Sequence, residues 1–489
     1  MKLKALVKES EMKGLTDAGD IEISGLSADS RRIQPGFLFA ALPGSATDGA
    51  KFAASAVEKG AVAIIAPRGA ITSATVPVIE TDDPRLALAL AASAFYARQP
   101  KFVAAVTGTN GKSSPVDFLR QIWAFAGKKA ASMGTLGAIG PSGAVDLGHT
   151  TPDPVAIHAT LARLADEGVT HAAMEASSHG LDQRRLDGVK LSAAAFTNLT
   201  QDHLDYHHDL NTYAAAKMRL FSELLPKGAP AIINADAAEY ARFENAANAA
   251  GLQTLTCGWR GSYLKIGEIS PKPAAQRLDL RWKGRDILVD LPLIGEFQAI
   301  NAVAAAALAL SLGEDEAKVF AGMRTLRPVR GRMEHVGATK DGAHVFVDYA
   351  HTPDGLDVLL RAARPHAPGR IILVFGCGGD RDAGKRPKMG AIGAKFADVV
   401  IVTDDNPRSE DAAEIRRQVL VGCPGAEEIG DRGDAIRSAV NRLKPGDALM
   451  IAGKGHETGQ IIKGVTHPFS DQDTALDALR AIGGAGLDQ

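Results

Sequence analysis

Cysteine is scarce in this chain of 489 residues: Cys257, Cys377 and Cys423 are its three, far apart and without a C-x-x-C pairing. That excludes a disulfide framework or a cysteine-based zinc site, and it fits a reducing cytosol. Charge of one sign is lacking too. The formal net charge is −2 and no long basic run occurs, which argues against nucleic acid as the main partner. An anionic small substrate, which needs only a local basic pocket, is still allowed. No apolar run reaches membrane-spanning length. The Ala-rich stretch 302–312 comes nearest, but it follows Asn301 and stops before Gly313, so it reads as a packed helix. Met1-Lys-Leu-Lys does not begin a signal peptide, because no apolar core follows it. Hydrophobic residues, at 45%, are ample for a core, and disorder is not expected. The length exceeds one ordinary domain, and two to four are expected.

One stretch organises the rest. The apolar run 102–106 ends in Thr107-Gly-Thr-Asn-Gly-Lys-Ser113, and a helical pattern follows over 114–125. A strand, a Gly-rich loop and a helix make a phosphate cradle. Gly108 and Gly111 let backbone N–H groups turn inward, and the helix start adds partial positive charge. Lys112 would reach the outer phosphates and the Ser113 hydroxyl a Mg²⁺ ion. Val106 stands where the commoner G-x-x-x-x-G-K-[ST] loop has its first Gly, so the loop is a shorter form. Alone, Gly-Lys-Ser is also compatible with an ordinary glycine turn; the flanking strand and helix favour the nucleotide site.

The remaining pattern is α/β. Residues 1–98 alternate short strands and helices, with turns at Pro35-Gly36, Pro43-Gly44 and Asp48-Gly49. Residues 99–325 repeat β-α units: strands are expected at 171–176, 193–196 and 231–234, helices at 154–168, 212–225 and 301–312. An antiparallel edge or insert is expected over 252–293. Residues 326–489 repeat the alternation, with strands at 345–348, 370–375, 399–403 and 448–452. The expected fold class is therefore α/β in three domains. A central P-loop domain with a doubly wound, mostly parallel sheet is flanked by a small N-terminal α/β domain and a C-terminal Rossmann-like one. Polar sequences fall at the carboxyl ends of strands, where open α/β sheets bind ligands.

Those sequences supply acids and imidazoles. Glu175 ends a strand and opens Glu175-Ala-Ser-Ser-His179; a carboxylate there suits Mg²⁺. His203 lies in Asp202-His-Leu-Asp-Tyr-His207 and can also hold a metal. Singly, each is as well explained as a surface loop residue; together, at strand ends of a P-loop domain, they favour a site.

Thr107-Gly-Thr-Asn-Gly-Lys-Ser113, Glu175-Ala-Ser-Ser-His179, Thr197-Asn-Leu-Thr-Gln-Asp-His-Leu-Asp-Tyr-His207 and Asp348-Tyr-Ala-His-Thr-Pro353 resemble the Mur ligases. These are the ATP-dependent amide-forming enzymes of peptidoglycan precursor synthesis. The N-terminal Asp29-Ser-Arg31 and Pro35-Gly36 fit as well, so the resemblance covers nearly the whole chain. It implies that ATP phosphorylates a carboxylate, because oxide is a poor leaving group, and that an amine then attacks the acyl phosphate.

By resemblance, Lys112 and the loop residues Gly108, Thr109, Asn110, Gly111, Ser113 and Ser114 hold the phosphates. Ser113 and Glu175 bind one Mg²⁺ and His203 serves a second. Arg332, Asp348 and His351 contact ATP, and Asn301 lies near adenine or ribose. Lys217, on a helix after the His cluster, corresponds to a lysine that CO₂ carbamylates into an anionic Mg²⁺ ligand; residue by residue it reads as a surface lysine. Lys112, Glu175, His203 and Lys217 are the implied catalytic set.

Asp405-Asn-Pro-Arg408 resembles the signature of family members that add meso-diaminopimelate as the third residue. Diaminopimelate differs from lysine by a carboxylate at its far end, which the Arg408 fork can grip bidentately. Arg381, Gly453 and Glu457 match the rest of that pocket, together with Asp405, Asn406 and Pro407, and Glu457 could pair with the far ammonium. For a UDP-muramoyl dipeptide, Ala28, Ser30, Ser45, Ala46 and Thr47 match the UDP contacts. Thr150, Thr151, Ser177, Gln183 and Arg185 match the muramoyl-dipeptide contacts. Ser113 replaces the commoner Thr but keeps the hydroxyl. Pro115 removes one amide from the first helical turn. His149 stands where many relatives carry Asn. The implied enzyme is a cytoplasmic monomer acting on small molecules, with no membrane insertion.

Three other readings remain. A lysine-adding member would carry an acidic or neutral residue at 408. A folylpolyglutamate-type ligase shares the loop but lacks a UDP-binding first domain. A nucleotide-dependent switch protein would have no use for Lys112, Glu175, His203 and Lys217 together.

Overall fold

The computed structural model describes residues 1–7, 18–44 and 47–486. Ser45 and Ala46 therefore lie outside the described residues. Contacts divide the chain into two compact units, Met1–Tyr263 with Ala304–Val319 and Leu264–Val303 with Phe320–Gln489.

The first unit opens with a four-stranded, all-parallel sheet of β1 (Gly25–Ser27), β2 (Phe37–Ala40), β3 (Ala61–Pro67) and β4 (Val78–Thr81), in that order. Helix α1 (Ala53–Glu58) precedes β3, and α2 (Pro84–Tyr96) follows β4. The Asp83 carboxylate caps α2 at Leu86 N, and Pro84 costs nothing in the first turn, where the N–H has no helical partner.

The same unit continues through β5 (Phe102–Thr107), α3 (Ser113–Phe125), β6 (Ala130–Gly134), β7 (Gly137–Gly140), β8 (Gly143–Val145), α4 (Pro154–Asp166) and β9 (His171–Glu175). Then follow α5 (Ser178–Asp182), β10 (Ala193–Phe196), α6 (Leu204–His207), α7 (Leu210–Arg219), β11 (Pro230–Asn234), α8 (Tyr240–Ala249) and β12 (Gln253–Gly258). In space the strands run β12-β11-β10-β5-β9-β6-β7-β8. Every pair from β12 to β6 is parallel. Helices cover both faces of such a sheet, so its strands need small apolar residues throughout; Val103, Ala104, Ala105 and Val106 of β5 are fully buried. β5 lies between β9 and β10, with Val106 opposite Glu175 and Thr107 opposite Phe196. The loops after these three strands are therefore neighbours, about 5 Å apart at the strand spacing.

In the second unit, β13 (Leu264–Lys272), β14 (Ala275–Trp282) and β15 (Arg285–Leu291) form an antiparallel meander. The expected antiparallel segment is thus real, but its first strand, β12, is parallel to β11. It returns through α8, a crossover that makes a parallel partner possible. Helices α9 (Glu296–Ser311) and α10 (Glu316–Met323) each contain a point where the division between units falls. The rest comprises β16 (Glu334–Ala338), β17 (His344–Asp348), α11 (Pro353–Ala363), β18 (Ile371–Phe375), α12 (Lys385–Phe396), β19 (Val399–Val402), α13 (Ala412–Leu420), β20 (Glu427–Glu428) and α14 (Arg432–Asn441). It closes with β21 (Ala448–Ala452), the hairpin β22 (Gly459–Ile462) and β23 (Val465–Pro468), α15 (Asp471–Ala481) and β24 (Ala485–Gly486). The sheet order is β20-β19-β18-β21-β17-β16-β24, parallel from β20 to β17 and antiparallel at β16. Two apolar clusters cover its faces, one around Phe346, Leu360 and Phe375, the other around Ile372, Ile436 and Leu479.

Among the described residues, no helix is long and apolar enough to cross a membrane. The helix expected over 212–225 is regular only to Arg219 and finishes as a π turn, Leu220–Leu224.

Candidate active site

The loop after β5 is tied down from β10. Thr109 N donates to Asn198 O at 2.8 Å and Asn110 N to Asn198 Oδ1 at 3.0 Å. The Thr197 hydroxyl donates to Asn110 O at 2.7 Å, and the Thr109 hydroxyl to Thr200 O at 3.1 Å. Gly108 is held at φ 151°, and a Cβ there would come within 2.0 Å of Thr197 Oγ1, so no other residue fits. Helix α3 starts at Ser113 with no capping side chain. Its first N–H groups are the ones a phosphate can satisfy. Uncapped N–H groups beside a lysine give this cradle the donors that an anion such as phosphate needs.

Two ammonium groups converge on this loop. Lys112 Nζ donates to Gly108 O at 3.0 Å and Thr109 O at 2.8 Å, and Lys217 Nζ donates to the same Gly108 O at 2.8 Å. Lys217 is 1% exposed and lies over the Tyr213 ring, 4.5 Å from its centroid. Burial pushes its ammonium well below the ordinary lysine range, and the Lys112 cation pushes the same way. Tyr213 OH in turn donates to Thr109 Oγ1 at 3.2 Å. Around this pair, His179, His203, Tyr206 and His207 pack ring against ring. The His179 centroid is 4.9 Å from His203, 4.2 Å from Tyr206 and 5.4 Å from His207.

Glu175, at the end of β9, is buried, and its Oε1 accepts from Thr135 N at 2.9 Å. The Thr135 hydroxyl lies 3.0 Å from that of Thr150. Thr151 Oγ1 donates to Glu175 O at 2.9 Å and accepts from Ser177 N at 3.1 Å. Ser177 caps α5. Arg185 donates to Thr151 O at 2.6 Å and to Gln183 Oε1 at 2.8 Å. The structure thus gathers Glu175, Thr150, Thr151, Ser177, Gln183 and Arg185 beside the loop. Among the described residues, no three His, Cys, Asp or Glu side chains form a group able to hold a metal by themselves. The Glu175 carboxylate and the Ser113 hydroxyl are hard oxygen donors of the kind Mg²⁺ takes in nucleotide sites. Of the residues expected to touch UDP, Ala28 and Ser30 flank Asp29, whose carboxylate caps the turn at Arg31 N, and Thr47 precedes the Asp48 cap.

In the second unit, Asp348 ends β17. Its carboxylate accepts from Met333 N at 2.7 Å and Ala350 N at 2.8 Å. Burial raises its pKa, with the Arg332 cation opposing. Arg332 lies over the Tyr349 ring at 4.8 Å, and His351 Nδ1 is 2.8 Å from Tyr349 O. Gln298 Nε2 donates to Arg332 O at 3.1 Å, while Asn301 Nδ2 lies 3.4 Å from Gln298 Oε1. Asn301, Arg332, Asp348 and His351 therefore form one neighbourhood.

A second neighbourhood joins the ends of β18, β19 and β21. Asn406 Nδ2 donates to Glu457 Oε2 at 2.9 Å, and Asp405 Oδ2 would lie 2.5 Å from a Cβ on Gly453. Arg408, at φ 52°, donates through Nη1 to Gly379 O at 2.7 Å. Pro407 lies between them. Arg381 is exposed, with Nη1 3.4 Å from Asp380 O. Sequence reasoning overlooked Lys454, which has no solvent exposure and donates to Asn406 Oδ1 at 3.0 Å. It also overlooked Tyr213. Spacing could have found the latter, since 213 and 217 are one helical turn apart and share a face.

Three stretches of the chain match Mur ligase models: the family's catalytic domain over 22–96, its middle domain over 106–309 and its glutamate ligase domain over 331–455. The chain belongs to the Mur ligase family. Two Mur ligases similar to it come from Brucella melitensis biotype 1, 52% identical over 98% of this chain and 99% of the relative, and from Chelativorans sp., 55% identical over 95% and 96%. Both are named UDP-N-acetylmuramoyl-L-alanyl-D-glutamate--2,6-diaminopimelate ligase. A solved structure of a Mur ligase with that name superposes with a TM-score of 0.73 at 34% identity, covering 94% of this chain and 95% of the other.

Proposed function

We propose that this Mur ligase joins meso-diaminopimelate to UDP-N-acetylmuramoyl-L-alanyl-D-glutamate at the expense of ATP. The observation that carries the amino-acid choice is the grouping of Asp405, Asn406, Arg408 and Glu457 at adjoining strand ends. It offers one fork for a carboxylate and one carboxylate for an ammonium, the two charges of a diaminopimelate far end. The whole-chain likeness to relatives bearing that name supports the same choice.

The loop and strand-end residues of the first unit support an acyl-phosphate route. An oxygen of the substrate carboxylate attacks the γ-phosphorus, the bond to the β,γ-bridging oxygen breaks and ADP leaves. The amine then adds to the acyl carbon of the acyl phosphate, the C–O bond to phosphate breaks, and the amine's proton passes to the medium. Lys112 and the first N–H groups of α3 hold and neutralise the transferring phosphate. Thr150, Thr151, Ser177, Gln183 and Arg185 position the acceptor carboxylate. Ser113 and Glu175, with His203 at a second position, would hold Mg²⁺, which would supply further neutralisation of the phosphates. Asn301, Arg332, Asp348 and His351 are assigned to the nucleotide on family resemblance, as are Ala28, Ser30, Ser45, Ala46 and Thr47 to UDP.

Lys217 is assigned as a carbamate. Its buried, acidified amine attacks CO₂, a C–N bond forms, one proton is released, and the anion then faces Lys112 instead of repelling it. We assign domains to 1–98, 99–325 and 326–489, and expect a cytoplasmic monomer. The test is phosphate release from ATP with the UDP-muramoyl dipeptide and either meso-diaminopimelate or L-lysine. Release should require the dipeptide and favour meso-diaminopimelate. Equal rates contradict the role of Arg408; no release with either contradicts the ligase reading.

A further inference from the structure

Lys454 lies in the strand-end loop between Gly453 and Glu457, with no solvent exposure. Its ammonium donates to Asn406 Oδ1 at 3.0 Å and Gly459 O at 2.8 Å, and stands 3.5 Å from Glu457 Oε2 and 3.7 Å from Asp405 Oδ1. Ile461 N also donates to Asn406 Oδ1, at 2.9 Å. Two donors on one oxygen fix the amide's orientation, because the amide nitrogen cannot accept from either. Asn406 Nδ2 must then face Glu457, which it meets at 2.9 Å.

Two of the surrounding cations are matched by carboxylates, Arg432 by Asp471 at 2.7 Å and Arg386 by Glu410 at 2.9 Å. Arg381 meets only the backbone oxygen of Asp380, whose carboxylate accepts from Ser409. What remains is Asp380, Asp405 and Glu457 against Arg381, Arg408 and Lys454, a net charge of zero. A neutral pocket suits a ligand end that is itself neutral, one ammonium with one carboxylate. Without the Lys454 cation the pocket carries one net negative charge, and a far end with an ammonium alone becomes its better complement.

We propose that Lys454 is a positioning and specificity residue: it aims Asn406 at Glu457 and sets the pocket charge so that a zwitterionic far end is preferred to a lone ammonium. This rests on the amino-acid pocket proposed above. Lys454 touches no reacting atom, so its removal acts on amino-acid binding and leaves the chemical step largely alone.

The test uses the full chain with ATP and the UDP-muramoyl dipeptide, varying meso-diaminopimelate and L-lysine separately. Lys454→Gln keeps hydrogen-bond donors for Asn406 and Gly459 but deletes the charge. The KM for meso-diaminopimelate should rise about tenfold with kcat within about twofold, and the kcat/KM preference over L-lysine should fall about tenfold. Adding Asp405→Asn restores a neutral pocket and should recover the preference. An unchanged preference in Lys454→Gln overturns the proposal, and so does a double variant as unselective as the single one. If Lys454→Gln does not fold, the double variant decides: near-native preference supports the proposal and lost preference overturns it. A wild-type enzyme without amino-acid-dependent turnover would instead overturn the proposed function and leave Lys454 out of account.

Discussion

At the scale of single residues, the carbonyl of Gly108 is the point on which two lysines converge. Lys112 and Lys217 both donate to it, so two cations share one acceptor, and one of them is buried. That arrangement is costly for an ammonium at 217 and favourable for an anion there. Lys217→Ala should reduce turnover on the order of 100-fold or more, the scale of losing one preorganised electrostatic group. Millimolar acetate or another small carboxylate should restore part of it by standing in for the carbamate. The check is steady-state phosphate release with and without the carboxylate; undiminished activity in Lys217→Ala removes the carbamate from the account. Nothing in the local sequence marked this lysine. Ala214, Ala215 and Ala216 before it look like any helical run, and only the motif around it drew notice. Its burial and its place on the Tyr213 ring are tertiary facts.

At the scale of elements, the candidate site residues lie where parallel strands end, and the sequence made most of those ends legible. The strands expected at 193–196 and 448–452 are β10 and β21 to the residue, because short apolar runs bounded by polar turns are unambiguous. Strands β6, β7 and β8 went unforeseen. Ala-Ala-Ser-Met-Gly at 130–134 has no β-branched or aromatic residue, and a buried central position rather than propensity makes it a strand. Lys454 was passed over for a related reason: its neighbours Gly453 and Glu457 matched a pattern, whereas its own role appears only when Asn406, 48 residues earlier, folds against it. The strand ends of the second unit are also braced from beneath. Arg432 and Asp471 are both fully buried; the guanidinium donates to Asp471 through two nitrogens, at 2.7 and 2.8 Å, and to Ala452 O at 3.0 Å. The pair links the starts of α14 and α15 to the end of β21. Arg432→Leu strands the Asp471 carboxylate in an apolar setting, and the expected cost is about 3–5 kcal/mol. Urea unfolding followed by circular dichroism checks this. A loss below about 1 kcal/mol would mean that the pair does not brace the loops.

At the scale of the whole molecule, three matched segments account for most of the chain, and a different recognition task is proposed for each. The near-zero net charge agrees with the proposed reading, in which charges act locally, in the proposed phosphate loop, around Thr151 and in the proposed amino-acid pocket, instead of forming one large field. The short Thr-Gly-Thr-Asn-Gly-Lys-Ser loop is the feature that joins these tasks, since its proposed work is to aim one γ-phosphate at one carboxylate. The most direct test of that claim follows an atom. UDP-N-acetylmuramoyl-L-alanyl-D-glutamate labelled with ¹⁸O in the acceptor carboxylate is turned over with ATP and meso-diaminopimelate, and the released phosphate is analysed by mass spectrometry. If the carboxylate is activated as an acyl phosphate, each phosphate released carries one ¹⁸O from the carboxylate. Phosphate free of label, with amide product still formed, would contradict the account.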